Sequence, residues 1–232
     1  MVQNSETTFD FIDFVMQTPE SYTRYLVRLY WWTIVWLVVA SIFIAKGDDV
    51  LWANGNHTAF QDSFFKLITH LGEGWIFIPL VVISLFVRYS LSISIAAMAL
   101  LHGLICSLCK HALFAGASPR PASVLDHQLL YFVPGVMVHA QNSFPSGHTA
   151  TIFCFAVLAS VMIRHRAASV LLLTLALLVA YSRIYLLQHF LIDVTGGALI
   201  GISSAFFVLY LFDRLHLPSW SGANLKLNLK RA

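Results

Sequence analysis

Three short polar segments interrupt an otherwise apolar chain, and their residue types suit the handling of phosphate. The first runs from Lys110 to Arg120-Pro121, and the second is Ser143-Phe144-Pro145-Ser146-Gly147-His148. The third joins Ser182-Arg183 to His189 and Asp193. An arginine grips phosphate through two parallel N–H bonds, and a lysine acts on it as a point charge. The Ser146-Gly147 turn leads into an apolar run, so free backbone N–H groups at the helix start can bind phosphate oxygens. His189 and Asp193 stand four residues apart, which puts both on one helix face. The carboxylate can then accept a bond from one imidazole nitrogen and leave the other as a lone pair able to attack phosphorus. His148, in a different segment, is placed to protonate a leaving oxygen. Three cations against one carboxylate in a partly dry site demand an anion from outside the chain. A phosphate answers that demand.

The elements that must position these segments are membrane helices. Of 232 residues, 58% are hydrophobic and only 11% charged, with a mean hydropathy of +0.75. A soluble domain carries about 25% charged residues, so this chain cannot cover itself with a polar surface. Six uncharged apolar runs stand out: Leu29–Ala45, Gly74–Val87, Tyr89–Cys109, Thr149–Ile163, Ala167–Ser182 and Val194–Phe212. A span needs about 20 residues, with a range of roughly 17–25, and three of the runs fall below that range. The polar residues that end the apolar runs at His148, Arg183 and Asp193 are therefore expected near headgroup depth. The expected fold is an all-α membrane protein, a bundle of six transmembrane helices. Alternate helices end on the same face, so the three polar segments converge at one membrane surface.

Six spans put both termini on one side, with nine basic residues there against five on the other. The positive-inside rule then places the termini in the cytoplasm and the polar segments outside. Residues 1–232 are expected to form one domain with no room for a second globular unit. Its parts are an N-terminal cytoplasmic or interfacial segment (1–28), an outer loop (111–147) and a basic cytoplasmic tail (213–232). No cleavable signal peptide is evident, since Glu6, Asp10, Asp13 and Glu20 precede the first long run. A short interfacial helix around Phe9–Val15 is one reading of the start, and a disordered tail is the other. Trp31, Trp32 and Trp36 fit an interfacial belt. Cys106 and Cys109 form a CxxC inside an apolar run with no second ligand pair, which favours packing over redox or metal chemistry. Gly197 and Gly201 are expected to let helices approach closely within the bundle. The net charge of +3 is spread along the chain, so no nucleic-acid partner is implied. The remaining histidines read as structural or solvated.

At these residues the chain resembles the type 2 phosphatidic acid phosphatase family of membrane lipid phosphatases. Pro145-Ser146-Gly147-His148 carries one of the family's motifs in full, and Ser182-Arg183, His189 and Asp193 carry another with the same spacing. Arg120-Pro121 carries the end of the first motif. Nine residues separate Lys110 from Arg120, where the family has six, so Lys110 is the member that departs from the pattern. The resemblance implies that His189 forms a phosphohistidine, that Asp193 orients it, and that His148 protonates the departing group. Arg120, Arg183 and the Ser146–Gly147 backbone would hold the phosphoryl oxygens, with Lys110 as a further phosphate ligand.

No cofactor and no metal are implied, and a single carboxylate is too few for a magnesium site of the usual kind. The partners implied are the bilayer and a membrane lipid phosphate. Phosphatidic acid, phosphatidylglycerol phosphate, undecaprenyl diphosphate and lipid A phosphate all remain open as substrates. A lipid phosphotransferase would use the same residues, and a non-enzymatic lipid or anion carrier is a rival of another class. The expected location is a bacterial inner membrane, with the active site periplasmic.

Overall fold

The computed structural model describes residues 18–215, and within them there is no β-strand. The Phe9–Val15 stretch, read from the sequence as either an interfacial helix or a disordered tail, and residues 216–232 of the basic tail lie outside the described residues. The first long helix, α1 (Glu20–Phe43), starts behind Pro19, whose fixed φ suits the entrance to a helix. Two short helices follow, α2 (Asp48–Gly55) and α3 (Ala59–Ile68). Thr58 caps α3, its hydroxyl accepting from the Gln61 N–H at 3.2 Å, as an N-terminal threonine is suited to do.

The chain then breaks into two tight turns, Thr69–Gly72 and Gly74–Ile76, before α4 (Phe77–Val87). Segments Ala59–Gly72 and Gly74–Val87 are bent by 55° across this break. After α4 come α5 (Tyr89–Leu108), the four-residue α6 (Pro121–Val124), α7 (Gly147–Ile163), α8 (Arg166–Tyr185) and α9 (Leu191–Arg214).

All six apolar runs of the sequence are mainly helical. Among the described residues, four helices are long and apolar enough to cross a membrane, the bent pair qualifies when its halves are taken together, and α7 is shorter at 17 residues. Trp31, Trp32 and Trp36 point away from the bundle at 61, 61 and 74% exposure. Such a surface is incompatible with water but natural against lipid.

Inside, α9 packs most extensively on α7, and α7 in turn on α8. That first contact depends on small residues. A Cβ on Gly197 would stand 2.3 Å from the Ser146 carbonyl oxygen, and one on Gly201 only 2.2 Å from that of Ala150. No side chain fits at such distances, so the glycine pair serves packing between α9 and the start of α7. At the opposite end of α7, Tyr22 and Tyr30 of α1 reach Ser160: the Tyr22 hydroxyl donates to its carbonyl at 2.8 Å, and the two side-chain hydroxyls of Tyr30 and Ser160 lie 3.1 Å apart. These contacts hold α9 and α1 against α7.

Candidate active site

The start of α7, the end of α8 and the start of α9 meet at one end of the bundle. Two more pieces join them there, the loop from 109 to 146 and the break between α3 and α4. Asp193 sits in the first turn of α9, and its carboxylate reaches back to accept from the Phe190 N–H at 2.8 Å. This is the reciprocal arm of a capping box. The Asp193 carbonyl accepts from the Ser146 N–H at 2.9 Å, which ties the second motif to the third.

His189 lies in the connection between α8 and α9, with 1% of its surface exposed. Its Nδ1 is 3.6 Å from Asp193 Oδ2, too long for a good hydrogen bond. The Ser143 hydroxyl fills the gap. It donates to Asp193 Oδ2 at 2.5 Å and stands 3.4 Å from His189 Nδ1. With its own proton spent on the carboxylate, Ser143 can only accept from the imidazole, which fixes the proton on Nδ1 and leaves Nε2 as the lone pair. Burial, and then Arg183, Arg120 and Lys110, hold the His189 imidazole well below its ordinary pKa. The ring is therefore neutral at neutral pH, the form a nucleophile needs.

The cations are buried as well. Arg120 and Arg183 are each only 8% exposed. Arg120 is locked in place: its Nε donates to the Gln141 carbonyl at 3.0 Å, and its Nη1 to the side-chain oxygen of Gln188 at 2.8 Å. Burial draws the Arg120 guanidinium below its ordinary pKa, with Asp193 opposing the shift. Arg183 donates from Nη1 to Thr69 Oγ1 at 2.6 Å, while its buried Nε has no acceptor within the described chain. Two buried guanidiniums with so little anionic company favour a bound anion.

Lys110 comes from a π-helical turn, Cys109–Leu113, that ends α5. A π turn widens the helix by one residue and is frequent at functional sites. The lysine is close enough to act electrostatically on His148, His189 and Arg120. A separate turn follows around Gly116, at φ +72°, where glycine pays no steric penalty. Together these absorb the longer spacing before Arg120.

Ser146 caps α7, its hydroxyl accepting from the Thr149 N–H at 3.4 Å and from the Thr149 hydroxyl at 2.9 Å. Because its backbone N–H already serves Asp193, the free N–H groups of this turn begin at Gly147. His148 is half-buried and faces a cavity between α4, α5 and α7. Gly72 lets the α3–α4 break press against it, since a Cβ there would sit 2.9 Å from both Cβ and the carbonyl oxygen of His148.

All eight sequence-derived residues (Lys110, Arg120, Ser146, Gly147, His148, Arg183, His189 and Asp193) thus gather at one end of the bundle. Four further residues join them that sequence reasoning gave no role: Ser143, Gln188, Thr69 and Glu73. Glu73 lies in the field of Arg183 and supplies a second carboxylate near the site, bound to His70 at 2.5 Å and to the Trp75 indole N–H. Gln188 carried a signal, as a lone amide in the apolar stretch before His189. Thr69 and Glu73 carried none. Asn54 and Asp62 pin the 109–146 loop: Asn54 donates to the Tyr131 and Tyr185 carbonyls at 2.8 and 3.1 Å, and the Tyr131 hydroxyl donates to Asp62 at 2.9 Å. Among the described residues, no three His, Cys, Asp or Glu side chains form a metal-ligand cluster.

The chain is similar to several known proteins. The family model of the PAP2 superfamily matches residues 90–217. The lipid A 4'-phosphatase of Porphyromonas gingivalis is 27% identical over 180 residues, covering 74% of each chain. The bacitracin transport permease protein BcrC of Bacillus licheniformis is 40% identical over 74 residues, 32% of this chain. The match spans only 36% of that relative's length. A crystal structure of a PAP2-type phosphatidylglycerolphosphate phosphatase from Bacillus subtilis superposes with a TM-score of 0.57 at 25% identity, covering 81% of this chain and 96% of the other.

Proposed function

The chain belongs to the PAP2 superfamily and is an integral membrane protein, and we propose that it is a metal-independent lipid phosphate phosphatase acting through a phosphohistidine. The observation that carries this reading is the chain of contacts from His189 Nδ1 through Ser143 to Asp193. It leaves Nε2 as a lone pair among buried cations. In the first step Nε2 attacks phosphorus, the P–O bond to the lipid breaks, and His148 gives a proton to the departing oxygen. In the second, His148 takes a proton from water, which attacks the phosphohistidine and releases phosphate. Arg120, Arg183, Lys110 and the N–H groups of Gly147 and His148 stabilise the charge on the equatorial oxygens.

The substrate is a phosphomonoester or diphosphate of a membrane lipid. Two of the similar proteins are named as phosphatases of lipid A and of phosphatidylglycerol phosphate. The six-span count, the single domain over residues 1–232 and an outward, periplasmic site in a bacterial inner membrane belong to the same reading. Support for the orientation comes from the nine-to-five asymmetry of basic residues.

The test is phosphate release in detergent with excess EDTA, across phosphatidic acid, phosphatidylglycerol phosphate, undecaprenyl diphosphate and lipid A phosphate. Release from at least one, abolished by vanadate, is the expected result. A carrier reading is raised by the B. licheniformis relative, which is named as a transport permease protein. Movement of an intact lipid phosphate across proteoliposomes with no release from any substrate would replace the phosphatase reading by that one.

A further inference from the structure

Beneath His148 lies a cavity of about 300 Å³, with His102, Thr151, Gly72, Phe77 and Gly103 among its walls. Two of those walls are polar and well buried, His102 at 5% exposure and Thr151 at 4%. His102 comes from α5 and Thr151 from α7. Resting on the phosphatase reading, we propose that Thr151, set by His102, is a specificity-determining residue that selects lipid phosphates bearing a hydrogen-bond donor near the phosphate.

The argument begins with the protons. His102 Nδ1 is 2.7 Å from the Met98 carbonyl oxygen, and a carbonyl only accepts, so Nδ1 carries the hydrogen. In the neutral ring Nε2 is then an acceptor. Thr151 Oγ1 stands 3.2 Å from it, and the threonine hydroxyl donates there its one proton. What remains on Thr151 is lone pairs. His102 thus converts an ambivalent hydroxyl into an acceptor.

Position gives the acceptor its use. Thr151 is three residues beyond His148 on α7, about 4.5 Å deeper along the helix. A lipid oxygen that leaves towards His148 begins at the top of this cavity, so the group meeting Thr151 lies a few bonds beyond that oxygen. A hydroxyl or an amide N–H there completes a hydrogen bond. An ester linkage offers only acceptors, and burial would then strip Thr151 of water without replacing it. A polyprenyl chain offers no polar partner at all. The ligand class is therefore a lipid phosphate with a hydroxyl or amide close to its phosphate.

A matched pair of glycerolipid phosphates tests this, identical except that the 2-acyl group is joined through an amide in one and an ester in the other. Wild-type protein is expected to favour the amide by about fivefold or more in kcat/KM, the size of one neutral hydrogen bond. Thr151→Val should bring the ratio near one, and Thr151→Ser should keep it. A purely structural role for Thr151 would change both rates together and leave the ratio alone, and that result overturns the proposal. A wild-type ratio near one overturns it without any variant. Equal release from both lipids leaves the phosphatase reading standing, whereas release from no lipid in the wider panel removes that reading and this one with it.

Discussion

The Ser143 hydroxyl donates to the Asp193 carboxylate at 2.5 Å, and through this bond the carboxylate governs a histidine it does not itself touch well. The direct separation of His189 Nδ1 and Asp193 Oδ2 is 3.6 Å. Orientation of the imidazole is thus shared between a carboxylate on α9 and a serine from the 109–146 loop.

Ser143→Ala should consequently lower kcat by about tenfold, or roughly 1.4 kcal/mol, with little change in KM. Steady-state kinetics on any hydrolysed lipid phosphate checks this. Wild-type kcat in the variant would show that the direct histidine–carboxylate contact is enough.

The cationic half of the site makes a separate prediction. Lys110→Gln keeps length and polarity but removes the charge, and kcat/KM should fall at least about tenfold. Gln188→Leu should fall too, because Arg120 Nη1 loses its 2.8 Å acceptor while the buried guanidinium remains. A Lys110→Gln enzyme near wild type, beside an inactive Arg120→Gln, would reduce Lys110 to a membrane anchor.

These two sets of residues differ in how legible they were. His148, Arg183 and Asp193 announce themselves as polar groups that end apolar runs, where an ionisable residue is costly, and His189 by its four-residue spacing to Asp193. The helices followed from the same runs, because in lipid a backbone must satisfy its own hydrogen bonds. Thr69, by contrast, meets Arg183 across 114 residues of chain, and no local spacing encodes that meeting. The 55° bend was hidden as well, since Gly72 and Gly74 look like ordinary turn residues until His148 is seen packed against the first. Ser143 stood beside a motif, yet its role needs the loop fold that brings it between His189 and Asp193. For Lys110 the sequence showed a longer spacing and, at Ala115–Pro119, residues that suit a turn, whereas the π turn at Cys109–Leu113 was hidden.

Protonation offers an independent check. His189 is held well below an ordinary imidazole pKa by burial and three nearby cations. A lowered pKa keeps the lone-pair form as pH falls through about 6.5, where a free imidazole is half protonated. A ¹⁵N-histidine NMR titration, assigned with His189→Ala, should find the ring neutral at that pH with the proton on Nδ1. A midpoint at or above 6.5 would contradict the electrostatics described.

The proposed topology is tested at Ser123, an exposed residue of the 109–146 loop. With Cys106, Cys109 and Cys154 replaced, Ser123→Cys should react with an impermeant maleimide in intact spheroplasts. Labelling only after lysis would place the site on the cytoplasmic face.

The most direct test of the mechanism is to trap the phosphoenzyme. Rapid alkaline quenching of wild-type protein during turnover of a ³²P-labelled lipid phosphate should yield an alkali-stable, acid-labile phosphohistidine that maps to His189 and is absent from His189→Ala. A His189→Ala enzyme that still forms such a species, or turns over near the wild-type rate, would contradict nucleophilic catalysis by His189.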